Sequence, residues 1–456
     1  MNPPRRAFSS DDIALVGAAC RFAETPDLAT FWRRIVQGAT IPADTVQTLG
    51  PLYTCDAAAP FVREPPVPGE DHAACFLLQL IGEALADAGL HPASTLQTDR
   101  TALFLCHNPV HTPASVNWLQ QTLLLDQTIG LVRAANPQLT AADFDRLRDA
   151  WRRALPPFGQ RTIEPAWRHV LPVRIAQTLG IIGPANLCDT GWTSGITALE
   201  QASDALRARR CDMAIVAALQ PPISPATRQG LATLLPHSTR PRLLAFDHQS
   251  DGITLAEGGT ILILKRRRDV QGGAESIYAI LRGTGSAIAR QSHSDCTSLQ
   301  VAPLADALFR SLRRACREVL DDLDAIDLYE ANASGLPLQD QAELRFLQTI
   351  AGYRDAANAP MVVGSVKTAI GHVLTASSLA AVLKAALSIR AAAIPPSCAD
   401  DKEIQRLSPN LCTLAAPRPW IAVSSRTRPR RAAVASIDFT GNTAFALLES
   451  AAVSQP

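Results

Sequence analysis

The sequence predicts an α/β fold made of two similar halves. Short apolar segments alternate with helical segments of roughly 12 to 16 residues, which is the pattern of layered sheets and helices. Several strands are apolar at every position, which is typical of a sheet covered by helices on both faces. In each half, at 188–193 and at 364–371, a strand runs into a turn that precedes an apolar, alanine-rich helix.

The first half is placed at 10–265 and the second at 275–450. Predicted strands of the first half are 12–19, 101–106, 187–190, 211–219 and 260–264, and its predicted helices are 28–36, 73–88 and 195–209. Predicted strands of the second half are 278–283, 326–330, 361–366, 432–438 and 444–448, and its predicted helices are 304–320, 337–350 and 375–389. A Cys-Arg-Phe turn is predicted at 20–22, a surface segment at 40–70, and an insertion at 108–165 with an amphipathic helix over 141–155.

Composition narrows the class of protein. The 456 residues are 47% hydrophobic, which allows a large core, and the net charge of +1 gives no bias toward nucleic acid. Ten scattered cysteines form no CxxC pair and no zinc-site spacing, so we expect free, reduced thiols, a cytoplasmic location and no metal. No apolar run approaches ~18 residues, so no membrane span is expected.

One turn is predicted to carry chemistry. A strand ends near Cys188, the chain turns sharply, and a helix begins with Thr193 or Ser194 as its N-cap. A residue at such a turn lies against a helix N-terminus, whose dipole and free N–H groups lower a thiol pKa and stabilise an oxyanion. The residue at the turn is Trp192, however, and an indole cannot be acylated.

This stretch resembles D-T-A-C-S-S-S-L-V-A-L, the signature of β-ketoacyl synthases (ketosynthases) of the thiolase superfamily, with Trp192 at the position of the cysteine. Five further segments resemble the family in the same order: I-A-L-V-G-A-A-C-R-F from residue 13, F-D, S-D-G and E-G within 246–258, Y-E-A-N-A-S-G-L-P-L-Q-D from 329, G-S-V-K-T-A-I-G-H from 364, and I-D-F-T-G-N from 437. The resemblance spans 12–449. It implies the five-layered α-β-α-β-α thiolase fold, built from two duplicated halves, and a dimer.

The resemblance also assigns site positions. The family's Cys-His-His triad corresponds to Trp192, Asn332 and His372, so only the second histidine is kept. Lys367, which supports the site in the family, is retained, and His372 is expected to be held by Lys367 and a helix terminus.

The substrate-contacting positions that the resemblance implies are Thr193, Ser334, Leu336 and Phe439. Phe439 matches the family's gating phenylalanine. Ser334 and Leu336 replace two threonines that contact the phosphopantetheine arm of an acyl carrier protein, which is the one cofactor group the resemblance brings.

Three functions stay open. The leading hypothesis is a non-condensing homologue of the chain-length-factor kind, which pairs with an active ketosynthase in polyketide or fatty-acid-type biosynthesis. The second is a repurposed enzyme that uses His372 and Asn332 for decarboxylation, acyl transfer or cyclisation of an acyl or malonyl thioester. The third is a homodimeric pathway scaffold. A competent condensing ketosynthase is not expected, because Trp192 cannot act as the nucleophile.

Overall fold

The computed structural model describes residues 12–42, 44–54, 56, 61, 71–90, 98–109, 111–271, 277–290, 298–316, 325–354, 359–399, 401–421 and 429–451. The strands are β1 (Ile13–Phe22), β2 (Thr101–His107), β3 (Ala185–Leu187), β4 (Met213–Gln220), β5 (Gly258–Arg266), β6 (Ala279–Ile288), β7 (Leu328–Glu330), β8 (Met361–Gly364), β9 (Ala393–Ile394), β10 (Leu411–Cys412), β11 (Arg418–Pro419), β12 (Arg431–Ile437) and β13 (Asn442–Glu449).

The helices are α1 (Leu28–Val36), α2 (Ala73–Asp87), α3 (Pro113–Leu119), α4 (Leu125–Ala135), α5 (Ala141–Ala154), α6 (Gln160–Ile163), α7 (Val170–Leu179), α8 (Ser194–Arg207), α9 (Pro225–Leu234), α10 (Val301–Ala315), α11 (Pro337–Ala351), α12 (Lys367–Ile370), α13 (Ser377–Arg390) and α14 (Asp401–Leu407).

The two halves have the same strand order. The first half runs β1-β5-β4-β2-β3 across its sheet and the second runs β6-β13-β12-β7-β8, with β10 added at the outer edge. In both, the first two pairings are antiparallel and the last two are parallel. Antiparallel pairing of β1 with β6 joins the halves into one 11-stranded sheet. The predicted duplication is therefore confirmed.

Helices cover the sheet in the layer order of a thiolase-like fold. Helices α2 and α7 pack on the outer face of the first half, and α10 and α11 on the outer face of the second. Helices α8 and α13 share a central core with residues of both halves. Strand β1 shows the two-sided burial, because Leu15 belongs to the central core and its neighbour Val16 to the outer one.

The predicted turn at 20–22 is wrong, because these residues continue β1. Cys20 pairs with Thr260 and Phe22 with Gly258, and both Cys20 and Phe22 are buried on the strand's core side. A Cβ at Gly258 would lie 2.2 Å from the Phe22 ring, so a glycine there lets the two strands approach.

The predicted insertion contains α3 to α6 and a π-helical turn at Gln120–Leu124. Helix α5 matches the predicted amphipathic helix and begins at a capping box formed by Thr140 and Asp143. Phe144 of α5 packs on Leu125 and Ile129 of α4 in a small separate core.

The cysteines, the helix lengths and the groups that could bind a metal can each be examined among the described residues. Seven described cysteines are free thiols, but Cys75 at the start of α2 takes part in a disulfide, so the expectation of free thiols is wrong for Cys75. Sequence spacing could not reveal this, because a disulfide depends on proximity in space. No described helix is long and apolar enough to span a bilayer. The described residues also hold no group of three or more His, Cys, Asp or Glu side chains placed to bind a metal.

Candidate functional site

The turn before α8 is closed by its own side chains. Gly191 adopts a φ of 67°, in the left-handed region that favours glycine, and Trp192 follows it. Ser194 Oγ accepts from the N–H of Thr190 at 2.9 Å and donates to the Gly191 carbonyl at 2.6 Å. Thr193 Oγ1 donates to the Thr190 carbonyl at 2.8 Å. Thr193 is the N-cap residue of α8, as predicted, but neither hydroxyl bonds an N–H of the helix, and both side chains stabilise the turn instead.

Trp192 fills the centre of the site. Its side chain is buried, with 4% of the residue's surface exposed. The indole forms a T-shaped contact with His372, at 4.3 Å between ring centroids, and a tilted contact with Phe439 at 5.4 Å. We call the buried hydrophobic group around it the plug cluster: Trp192, Leu235, Ile253, Leu255, Leu336 and Leu374. Phe439, which is partly buried, packs against this group.

His372 is a buried, neutral imidazole. Its Nδ1 accepts from the N–H of Leu374 at 3.1 Å and lies 3.4 Å from Ser377 Oγ. Burial, and then the positive charge of Lys367, holds the pKa of His372 well below its ordinary value. A neutral ring that accepts at Nδ1 carries its proton on Nε2, and this buried nitrogen has no hydrogen-bond partner among the residues that the structure describes. The ring is therefore held by the N–H of Leu374, the first residue of a short helix, and by Ser377, so the expected helix terminus is present, whereas the expectation that Lys367 bonds the ring is wrong.

Lys367 instead holds Asn332. Its Nζ donates to the Asn332 carbonyl at 2.7 Å and to the Asn332 side-chain oxygen at 3.2 Å. The same side-chain oxygen accepts from the N–H of Ile437 at 3.1 Å, and Asn332 Nδ2 donates to Gln339 at 3.4 Å. Burial lowers the pKa of Lys367 to about 8. Both ends of the Asn332 amide are thus engaged within the protein, where they tie its loop to β12.

The two predicted phosphopantetheine contacts also face inward. Ser334 Oγ donates to Gln339 at 2.8 Å and accepts from the N–H of Leu336 at 3.3 Å. The Leu336 side chain belongs to the plug cluster. The hydroxyl that could bind an incoming arm is therefore engaged in the turn that leads into α11.

Buried charges lie behind these loops. Glu343 accepts from the N–H groups of Asn332 and Ala333, at 2.9 and 2.8 Å. Lys384 pairs with Glu330 at 2.7 Å. Burial, and then the nearby Glu343, raises the pKa of Asp340 to about 7. These buried groups support the loop that carries Asn332 and are not members of the plug cluster.

Asp438 is the site residue that the sequence prediction missed. Its Oδ1 accepts from the backbone N–H of Trp192 at 2.9 Å, and a Cβ at Gly191 would lie 2.2 Å from the same oxygen. Ser436 Oγ donates to the Trp192 carbonyl at 3.1 Å. A signal was present, because Asp438 stands where the family motif F-G-F-G-G-T-N has its first glycine.

The structure thus brings together the positions that the resemblance assigned. Trp192, His372, Phe439 and Leu336 are in one packed group, Asn332 and Lys367 are bonded directly behind it, and Thr193 and Ser334 lie in the two turns that enclose it. No thiol is among the members of the plug cluster.

Comparison with known proteins identifies the family. The β-ketoacyl synthase N-terminal domain matches residues 10–270, and the C-terminal domain matches 278–399. Polyketide synthase ThaG of Burkholderia thailandensis is 28% identical over 470 residues, covering 97% of this chain and 8% of that protein. Polyketide synthase GfsE of Streptomyces halstedii is 30% identical over 289 residues, covering 62% of this chain and 7% of that protein. The chain spans less than a tenth of the length of these two relatives.

Solved structures show the same fold. The ketosynthase from module 6 of the bacillaene synthase of Bacillus subtilis 168 superposes with a TM-score of 0.74 at 21% identity, covering 97% of this chain and 72% of that one. The oxazolomycin ketosynthase domain OzmH KS7 of Streptomyces albus JA3453 gives 0.73 at 23% identity, covering 98% and 76%. With both domain models matched across most of its length, the chain belongs to the β-ketoacyl synthase family.

Proposed function

We propose that this chain is a non-condensing ketosynthase homologue in polyketide biosynthesis, which acts as the chain-length-factor-like partner of an active ketosynthase. The polyketide synthases among its relatives support the pathway. The substrate and the partner are part of the proposal, because the chain matches only a small share of each relative.

The observation that carries the proposal is the buried Trp192 at the nucleophile position. Condensation begins when a thiolate takes an acyl group from a thioester, and an indole has no group that can do this. The plug cluster also occupies the space next to that position. A well-formed scaffold with a filled site supports a role in which the scaffold meets a partner that supplies the catalysis.

Two further features favour this role over an enzyme that acts through His372 and Asn332. A pair that polarises a thioester carbonyl needs free donors aimed at one point. The Asn332 Nδ2 group donates to Gln339, and the one unbonded donor of the pair, His372 Nε2–H, is on a ring that packs against the Trp192 indole. With Ser334 also engaged, we propose that a carrier protein delivers its phosphopantetheine arm to the active partner and not to this chain.

The test is purification of this chain together with the ketosynthase encoded beside it. We expect a one-to-one heterodimer by native mass spectrometry, and products whose length changes when Trp192 is replaced by alanine. Trp167→Ala is the matched control, because Trp167 is 44% exposed and packs on Trp118, away from the site.

Two results contradict the proposal. A chain that remains a homodimer and leaves product length unchanged would favour the scaffold. Turnover of malonyl or acyl thioesters by the pure chain, lost in His372→Ala, would favour the enzyme.

A further inference from the structure

We infer that the Asp438 carboxylate, at the turn before α8, occupies the position where the oxyanion of an acyl group would bind. It is then a second block on acylation that acts independently of Trp192. The inference rests on the proposed non-condensing function and adds a residue to it.

The backbone N–H of Trp192 is already bonded to Asp438. Trp192 lies two residues before Ser194, the first residue of the 14-residue helix α8, so its N–H is near a helix N-terminus, whose N–H groups and dipole favour a negative charge. Asp438 Oδ1 accepts this N–H at 2.9 Å, and Asp438 is 2% exposed. A thioester oxygen that reached the turn would find the donor already engaged.

The Asp438 carboxylate is held in place by its neighbours. Asp438 Oδ2 accepts from the N–H of Thr440 at 2.9 Å and from its hydroxyl at 2.5 Å. The Asp438 backbone N–H donates to Asn442, which fixes the tight turn between β12 and β13. Gly191 lies so close that any Cβ there would collide with the carboxylate. The carboxylate is therefore held in place from both sides and cannot rotate away from the Trp192 N–H.

The negative charge of the Asp438 carboxylate also opposes acyl transfer at this turn. A carboxylate beside the turn repels the negative charge that develops on a carbonyl oxygen during acyl transfer, and it also opposes ionisation of any thiol placed at position 192. Replacing Trp192 by cysteine alone restores the nucleophile's atoms but leaves this charge and the engaged donor. The other titratable groups near the turn are His372, Lys367 and Asp189. His372 and Lys367 stay the same in every comparison below, and Asp189 changes only in the control.

The experiment measures the thiol at position 192 in three proteins: Trp192→Cys, Trp192→Cys with Asp438→Asn, and Trp192→Cys with Asp438→Gly. The thiol pKa is read from the pH dependence of alkylation by iodoacetamide. We expect a pKa above the ordinary value of about 8.5 in the first protein, and a pKa lower by about one unit when Asp438 is asparagine. Asparagine has nearly the shape of aspartate, so this variant removes the charge while keeping the turn filled.

The glycine variant removes both the charge and the acceptor. On incubation with acetyl-CoA, the thiolate attacks the carbonyl carbon, a new thioester forms, and CoA leaves as its thiolate, which takes a proton from solvent. We expect mass spectrometry to show acetylation at least ten times faster than in Trp192→Cys alone. The control is Trp192→Cys with Asp189→Asn, because Asp189 is an exposed carboxylate of the same turn that accepts from the N–H of Gly191. The Asp189→Asn change should alter the acetylation rate by less than threefold.

An unchanged thiol pKa in the Asp438→Asn protein would overturn the inference, whatever the acetylation rates. These proteins are assayed alone, so the result is independent of the heterodimer and product-length test. Failure of that test would reject the partner function while leaving the role of Asp438 standing.

Discussion

Removing the Trp192 side chain is the most direct perturbation of the filled site. A tryptophan buries about 200 Å² on folding, and Trp192 is 4% exposed, so almost all of this area is out of water. At about 25 cal/mol per Å², its transfer contributes about 5 kcal/mol as an upper estimate. Large-to-alanine replacements of buried aromatic residues cost about 3 to 5 kcal/mol. We therefore expect Trp192→Ala to lower the free energy of unfolding by about 4 kcal/mol.

The assay is urea denaturation of the wild type and the variant, together with thermal melting. For a chain of 456 residues, with an unfolding entropy of about 2.1 cal/mol/K per residue, a loss of this size lowers Tm by about 4 °C. Trp167→Ala, at the exposed site, should cost less than half as much. Added indole should raise the Tm of Trp192→Ala but not that of Trp167→Ala, because an apolar cavity lined by leucines binds apolar ligands.

One result would refute this reasoning. If Trp192→Ala costs no more than Trp167→Ala and indole does not raise its Tm, then the indole at position 192 does not fill a packed site in solution. The argument from the plug cluster to a non-catalytic role would then fail with it.

Three further predictions concern buried ionisable groups. Lys384→Met should lower the free energy of unfolding by about 3 to 5 kcal/mol in urea titrations, because Glu330 is left as an unpaired buried carboxylate. The folded-state pKa of Asp340 is about 7, above its ordinary value. As the pH rises from about 4 to 7, this carboxyl ionises in the unfolded chain but stays protonated in the folded protein, so the free energy of unfolding falls. Asp340→Asn should remove that loss, seen as a flatter dependence of Tm on pH; an unchanged slope would contradict the assignment. His372 should stay neutral with its proton on Nε2 at pH 6, as read from ring nitrogen chemical shifts.

Much of the fold could be predicted because strands and helices leave local patterns. The helix predicted at 28–36 has the bounds of α1, and the repeat of strand, turn and helix anticipated the shared strand order. The continuation of β1 through Phe22 was missed, because it depends on pairing with Gly258 and Gly259, more than two hundred residues away.

The site could be predicted as positions but not as bonds. The motifs placed Trp192, His372 and Asn332 near one another, and they lie so. That Lys367 bonds Asn332 and not His372 depends on side-chain geometry, which no motif records. Asp438 was visible as a departure from the family's glycine, but its meaning required the position of the Trp192 N–H.

The shared strand order of the halves has a consequence for how the molecule unfolds. Trp192 comes from the junction of strand and helix in the first repeat, and His372 from the equivalent junction in the second, so their rings meet across the boundary between repeats. The bonds from Asp438 and Ser436 to Trp192 cross the same boundary. The ring contact and these two bonds to the Trp192 backbone connect the repeats, so the two repeats should lose structure together rather than one after the other.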